Sequence, residues 1–514
     1  ELRKRKLRPT KPFAVLYPSL KRVKVDFQVS KEEEDALCGK EAPIVILGHP
    51  KSPLIATHAI APHLEQIGVM LPSSALLELL MAVLGRPIVA TSGNLHGSPI
   101  IAEQKRAQRQ LQKVADYFLH HDLAIQFPQD DSVVKLVGSQ SIVLRRSRGM
   151  APNCLNAPLV TQGVLAMGAH LKSTFAYVPN AHTYVSPYFG NLDSYASLRR
   201  YENAIEQYVQ LFNCKPQTIL VDAHPNYESH VLGRTLAEKW KVKVAEIQHH
   251  KAHFASVLGE HHLHDTPEKI LGVVWDGTGM GTDRTVWGGE FFVYQHGQMS
   301  RVSHFTPYNW LANDTMAKEP KLSLLSLLAR EHHEGIRAKF NASQWRIYQI
   351  IGANNTLKTS SVGRLFDAAA SALDLCDTNT FEGEAAMILE QAATSYQGDD
   401  LLDFLEGEGI SATIPSHGII NNLFKAIKKG VAKDRLAASF IHTLAKSMVA
   451  IAQREGVKIV ACSGGVFQNA YLRKQLGGLA QEAQLTILYN KELSPNDENI
   501  SFGQLMYHEY IINN

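Results

Sequence analysis

A chain of 514 residues with 45% hydrophobic and 20% charged side chains can build substantial cores, and its length suits two or three domains. No run of roughly 18 or more uninterrupted apolar residues is present, since Leu71–Leu84 is broken by Ser73, Ser74 and Glu78, so no membrane span is expected. A net charge of +3 is close to neutral for this length and gives no basis for nucleic-acid binding. The five cysteines form no C-x-x-C pair, which points away from thiolate zinc and disulfide frameworks and toward a reducing compartment, the cytoplasm. There is no signal-peptide pattern, and a start at Glu1 rather than Met reads as a mature or truncated chain.

The chain opens with a basic run, Arg3, Lys4, Arg5, Lys6, Arg8 and Lys11, which suits either a solvated helix face or an anion seat. Short apolar runs such as Ile44–Leu47 and Pro87–Ala90 then alternate with helical patterns such as Ser74–Leu84 and Ala102–Val114, the rhythm of an α/β domain. Pro152, Asn153, Asn156 and Pro158 interrupt the periodicity, and a linker is expected over Ala151–Thr161.

After it come strand-like runs at Val164–Met167, Thr174–Val178, Thr218–Val221, Val242–Ile247, Ile270–Trp275, Val286–Tyr294, Lys458–Cys462 and Leu485–Tyr489. Helical patterns separate them, clearest at Leu198–Leu211, Leu436–Gln453 and Ala470–Gln484. Such alternation predicts a mixed or parallel sheet covered by helices on both faces, with ligands beyond the strand carboxyl ends.

The residues able to do chemistry fall at those ends. Gln248-His249-His250-Lys251-Ala252-His253 follows one strand and opens a helix, so His249 and His253 stand i, i+4 and can share one ion, or be ordinary solvated or capping histidines. The same spacing turns Lys251 away. In Asp276-Gly277-Thr278-Gly279-Met280-Gly281-Thr282-Asp283 a carboxylate ends an apolar strand, and the glycines admit phosphate oxygens to backbone N–H groups or simply make a hairpin. Asp276 suits either a third ligand of the same ion or a magnesium ligand.

Met167 to Thr174, containing Lys172, and Ser463-Gly464-Gly465-Val466-Phe467-Gln468-Asn469 are further loops at sheet ends, the second before a helix N-terminus that would favour an anion or a ribose-phosphate edge. Asp367 of Ser360-Ser361-Val362-Gly363-Arg364-Leu365-Phe366-Asp367 and Glu382 of Phe381-Glu382-Gly383-Glu384 can accept ribose hydroxyls or be cap-associated acids. Asp497, in a loop before the last segment, suits an exposed turn residue or a distant fourth ligand.

In this order the motifs G-x-x-x-K-x-T, H-H-x-A-H, D-G-T-G-x-G-T-D, S-S-x-G-R-L-F-D-A, E-G-x-A-A and S-G-G-V-F-Q-N resemble those of the HypF family, the carbamoyltransferases of nickel–iron hydrogenase maturation. The resemblance implies an α/β fold: a YrdC-like domain over residues 1–151, then a two-lobed Kae1-like domain of actin/Hsp70 ATPase architecture over 162–514. It implies synthesis of carbamoyl-adenylate from ATP and carbamoyl phosphate in the first, and carbamoyl transfer to the C-terminal cysteine of a HypE-like acceptor in the second. The cofactors implied are ATP, Mg and a further ion, Fe or Zn.

Carried over residue by residue, His249, His253, Asp276 and Asp497 would hold the metal. Lys172, with the first three of these, would be catalytic. Gly277, Gly279, Gly464, Gly465 and Asn469 would meet phosphates, with Asp367 and Glu382 on the ribose. In the first domain Lys6, Arg8 and Lys11 would face adenylate or triphosphate charge, Thr91, Ser92, Asn94, Asp131 and Ser132 would add polar contacts, and Arg146 and Arg148 would close over phosphates.

The chain also departs from the family pattern. Its acylphosphatase domain, zinc-binding segments and the opening strand of the YrdC-like domain have no counterpart, which reads as a fragment or a shortened relative that hydrolyses carbamoyl phosphate poorly. A Tyr and a His expected after Leu71-Pro72 are Ser73 and Leu77, two arginines are Leu123 and Pro128, P-G-G-D is Leu311-Ala312-Asn313-Asp314, and two glycines after Asp497 are Glu498 and Asn499. Three alternatives stay open: the same two domains could serve threonylcarbamoyl-adenylate chemistry on tRNA or carbamoylation of a small hydroxyl compound, and the substitutions suit a degenerate nucleotide-binding scaffold.

Overall fold

The structure, a computed structural model, describes residues 1–52, 55–95, 97–155, 159, 161–407 and 412–512. The chain forms two compact units, Glu1–Glu246 with Lys491–Leu505, and Ile247–Asn490 with Met506–Asn514.

The first unit carries two six-stranded sheets. The first has the order Ile88–Ala90, Ala14–Leu16, Ile67–Met70, Ile44–Leu47, Val133–Val137, Gln140–Arg145, mixing parallel and antiparallel pairs. Phe13, Val15, Val45, Leu47, Val69 and Val134 bury one face against helices Leu20–Asp26 and Lys31–Cys38, whose Val23 and Leu37 share that core. Capping fixes where these helices begin: the Ser19 side chain accepts from Arg22 N–H, and Ser30 and Glu33 form a reciprocal box.

The second sheet runs Lys243–Ile247, Thr218–Asp222, Val164–Ala166, Ala176–Val178, Thr183–Val185, Asn153–Leu155. Its core is aromatic, Phe175 meeting Phe189, Tyr201 and Tyr208 at centroid distances of 5.9, 5.8 and 5.0 Å. Within the expected linker, Asn153–Leu155 is a strand that pairs antiparallel with Thr183–Val185, while Asn156 and Pro158 lie outside the described residues.

The second unit is built on one eight-stranded sheet, ordered Tyr308–Asn309, Lys358–Thr359, Val286–Gln295, Ile270–Met280, Ile459–Ser463, Thr486–Tyr489, with Gln298–Phe305 also beside Val286–Gln295 and Thr413–Ile414 beyond it. Ile270–Met280 is parallel to Ile459–Ser463 and antiparallel to Val286–Gln295. It is buried on both faces: Leu271, Val273 and Trp275 enter the main core, and on the opposite face Gly272 lies against Phe254 of helix His249–Glu260. That two-sided burial explains its unbroken apolar run.

Among the described residues, Lys433–Arg454 is the single helix with the length and composition to cross a membrane. Its most apolar stretch is 72% buried inside the protein, with Leu436, Phe440, Ile441, Leu444 and Met448 in the core, so the pattern is that of a central helix.

Candidate functional site

A β-bulge aims the central carboxylate. Ile270–Met280 keeps register with Val286–Gln295 up to Trp275, slips, and resumes at Gly279. The extra residues in such a bulge re-aim a side chain. Here Asp276 faces helix His249–Glu260: its Oδ2 lies 3.5 Å from His249 Nε2 and 3.6 Å from His253 Nε2, and one ligand atom from each of the three lies within 4.8 Å of the others. All three are buried.

Neighbouring groups hold this arrangement. Gly465 N–H donates to Asp276 Oδ1 at 3.1 Å, and Ser361 Oγ donates to the carbonyls of Asp276 and Gly277 at 3.1 and 2.7 Å. Gly464 has φ 99°, and a Cβ there would lie 2.2 Å from Trp275 O, so the loop approaches the bulge only as glycine. Glu290, fully buried, accepts from Gly288 and Gly289 N–H at 3.3 Å, from Arg301 Nε at 2.6 Å and from Ser360 Oγ, tying the hairpin to the Ser360-Ser361 loop.

The protonation pattern can be read from the hydrogen bonds. Asn490 Nδ2 donates to Ser256 Oγ at 3.0 Å and Glu260 Oε2 at 2.7 Å, which turns its Oδ1 to accept from Ser463 Oγ at 2.9 Å. The Ser463 oxygen is then the acceptor for His253 Nδ1–H at 3.4 Å, leaving the lone pair of His253 on Nε2. That lone pair faces Asp276 at a separation longer than an N–H···O bond. Donor atoms about 3–4 Å apart around ligand distances of about 2.1 Å suit a divalent ion, so the residues fit the implied metal. Lys251 turns outward, its Nζ donating to Tyr507 OH at 3.1 Å.

The remaining expected residues divide between the units. In the second, Asn469 caps helix Ala470–Glu482 through Leu472 N–H at 2.8 Å, and Glu390 Oε1 accepts Ala470 N–H at 2.7 Å. The helix N-terminus read from sequence as an anion seat is thus already closed by a carboxylate of the protein. Asp367 is buried and paired with Arg364 Nε at 2.6 Å, burial pushing its carboxyl up despite that pairing, whereas Glu382 is exposed. Gly277 lies in the bulge, and Gly279 is where regular pairing resumes.

In the first unit Lys172 has φ 45°, and its N–H donates to Asn191 Oδ1 at 3.2 Å. Asp497 begins the short 3-10 turn Asp497–Asn499 and is buried, so it is not an exposed turn residue. Its neighbour Glu498 accepts Arg146 N–H at 2.8 Å, while Thr174 Oγ1 donates to the Glu498 carbonyl at 2.8 Å. Burial pushes the Glu498 carboxyl up to about 8, against the Arg146 N–H and the cationic Arg145, Arg146 and Lys172.

Lys6 is buried among neutral oxygens, Ser92 O at 2.6 Å, Thr91 Oγ1 at 3.2 Å and Asn94 Oδ1 at 3.3 Å. Burial, then Arg8, lowers Lys6 to about 8, and burial, then Arg3 and Arg145, lowers Arg8 to about 10. Such crowded cations gain from an anion. Lys11 is exposed and its carbonyl accepts from Arg3 and Arg8. Three other expected contacts engage protein groups: Ser132 Oγ donates to Arg148 O at 2.9 Å, Arg146 Nη1 to Ser186 O at 3.3 Å, and Arg148 Nε to Asp131 at 2.8 Å.

Sequence reasoning did not find Glu290, Glu390, Ser463 or Asn490 as supports. Only Ser463 and Glu290 lay inside segments already singled out, and nothing local marks Glu390 or Asn490.

Three family models match: "Telomere recombination" over 1–147, "HypF Kae1-like domain" over 160–260 and "Carbamoyltransferase, Kae1-like Domain, second subdomain" over 272–504. The chain is 36% identical over 544 residues to carbamoyltransferase HypF of Synechocystis sp., covering 98% of this chain and 68% of that protein. It is 32% identical over 521 residues to the probable carbamoyltransferase HypF of Methanocaldococcus jannaschii, covering 98% and 67%. A crystal structure of full-length HypF in the phosphate- and nucleotide-bound form superposes with TM-score 0.91 at 31% identity, covering 100% of this chain and 68% of that one.

Proposed function

The chain belongs to the HypF family of carbamoyltransferases, and from that premise we propose that it makes carbamoyl-adenylate from ATP and carbamoyl phosphate and passes the carbamoyl group to the C-terminal cysteine of a HypE-like acceptor, toward the cyanide ligand of a hydrogenase. The adenylating part is residues 1–151 and the transferring part 162–514. The observation that carries this is the buried meeting of His249, His253 and Asp276, with the lone pair of His253 Nε2 turned toward the carboxylate.

Asp497 is proposed as the fourth ligand. An Fe or Zn ion held by these residues would supply Lewis-acid polarisation of the carbamoyl oxygen. The protein's own groups do the rest. Ser463 fixes the tautomer of His253, and Gly465 N–H and the bulge fix Asp276. Lys172, Gly277, Gly279, Gly464 and Gly465 are proposed for the phosphates of the adenylate, with Asn469 contributing its amide nitrogen. Asp367, which also holds Arg364, and Glu382 are proposed for the ribose.

In the first domain Lys6, Arg8 and Lys11 are proposed to take the charge of Mg-ATP, with Ser92 and Asn94 orienting Lys6. Ser132, Arg146 and Arg148 would join them by exchanging a protein partner for a phosphate oxygen.

The test supplies carbamoyl-adenylate directly, together with a peptide ending in cysteine. His253→Ala should abolish both the bound metal, measured by elemental analysis, and the carbamoylated peptide. Transfer that survives complete metal loss contradicts the proposed role.

A further inference from the structure

Between the two proposed ligands of helix His249–Glu260 stands a third histidine that the reaction as described does not use. The hydrogen bonds around His250 fix its tautomer. Gln248 is the N-cap of the helix: its Oε1 accepts Lys251 N–H at 2.9 Å, which settles the orientation of the amide. Its Nε2 then donates both to Met280 O at 3.0 Å and to His250 Nδ1 at 3.0 Å. A nitrogen that accepts an N–H carries no proton, so the imidazole proton of His250 sits on Nε2.

That Nε2–H is buried and has no hydrogen-bond partner among the described residues. Leaving such a buried donor unmatched is costly, so a donor of this kind calls for an acceptor. Its surroundings say where the acceptor belongs. A Cβ on Gly279 would lie 2.5 Å from His250 Cε1, 3.1 Å from His250 Nε2 and 3.0 Å from His249 Cδ2. The N–H edge of His250 therefore runs along the glycine bulge next to His249, and only glycine at 279 leaves room there. Trp287 packs against the same ring at 5.7 Å and holds it in place.

We propose that His250 is a catalytic residue of the transfer step, its Nε2–H donating a hydrogen bond to an oxygen of the acyl-phosphate group bound at the Gly277–Gly279 bulge. The proposal rests on the carbamoyl-transfer reading above. In the step itself the thiolate sulfur bonds to the carbamoyl carbon, the carbon–oxygen bond to phosphate breaks, and AMP leaves with the electron pair. His250 keeps its proton throughout and stabilises charge on oxygen as a fixed donor, a contribution worth about 10²–10³-fold in kcat where single donors of this type are removed.

Two measurements test it. With ¹⁵N-histidine labelling, the Nε2–H resonance of His250, assigned by its disappearance in His250→Gln, should move when an inert sulfamate analogue of carbamoyl-adenylate is added. A shift with the analogue alone assigns the acceptor to the carbamoyl oxygen, a shift with AMP as well assigns it to the phosphate, and no shift with either overturns the proposal.

In parallel, His250→Phe should keep its metal content and KM for carbamoyl-adenylate while kcat falls by about two to three orders of magnitude, and His250→Gln, which returns an N–H near the same point, should recover much of that loss. Full kcat in His250→Phe, or loss of metal with it, overturns the assignment. A wild-type protein that binds the analogue but transfers nothing removes the underlying reading instead, and the two failures are thereby separate.

Discussion

Glu390 Oε1 accepts the backbone N–H of Ala470 at 2.7 Å, so a carboxylate from helix Glu384–Ser395 closes the first turn of helix Ala470–Glu482. Tyr471 N–H reaches the same oxygen at 3.4 Å. The bonds anchor the segment that begins with Ser463 and the two glycines beside Asp276. Removing the acceptor with Glu390→Ala should cost about 1–3 kcal/mol in chemical denaturation, with Glu390→Gln nearer wild type. Equal stability of all three would mean that the cap contributes nothing.

Gly464→Ala should be more damaging than its size suggests. The new methyl would meet Trp275 O at 2.2 Å and would sit on backbone at φ 99°. Neither problem is relieved by a side-chain rotation, so the loop must withdraw from the bulge. A loss of about 2 kcal/mol or more is expected, together with weaker metal retention, since Gly465 N–H moves with it.

Glu498 predicts a pH dependence of stability. Its carboxyl is raised to about 8 in the folded protein, while an unfolded glutamate titrates near its ordinary value of 4.5. Between those values the folded state holds the extra proton. Stability contributed by this group is therefore complete below pH 4.5 and is lost as pH rises toward 8. Glu498→Gln, which cannot ionise, should flatten that part of the profile and be relatively more stable at pH 9 than wild type. A wild-type and a variant profile that run parallel would contradict the burial argument.

Lys6 predicts a second pH effect, on binding. Buried among neutral oxygens and lowered to about 8, it loses its charge near that pH unless an anion holds the proton on. Calorimetric affinity for ATP should fall as pH rises through about 8 to 9, and Lys6→Ala should weaken binding and remove that slope. A slope unchanged in Lys6→Ala would place the titrating group elsewhere.

How far the sequence reveals all this depends on whether a feature is local. The strand Ile270–Trp275 is legible as an apolar run, yet it continues to Met280, because a bulge lets glycines stay within the pairing where sequence suggests only a turn. Gln298–Phe305 escapes notice since its alternation of Met299, Val302 and Phe305 with polar residues is imperfect, and a register shift at Phe291/Phe292 accounts for the irregularity. Asn153–Leu155 is only three residues long in a stretch rich in proline and asparagine, and its pairing with Thr183–Val185 is a tertiary event. The His249, His253 and Asp276 cluster is legible because helix spacing and a strand end are local signals. The Glu390 cap and the Asn490–Ser463–His253 chain are not, as their members stand tens to hundreds of residues apart.

The most direct measurement gives the chain ATP, carbamoyl phosphate and a peptide ending in cysteine, then follows AMP release and the mass of the peptide. Carbamoyl transfer predicts AMP together with a peptide heavier by one carbamoyl group, both dependent on His253. Retained ATP binding with neither AMP nor a modified peptide, even when carbamoyl-adenylate is supplied ready-made, would contradict it.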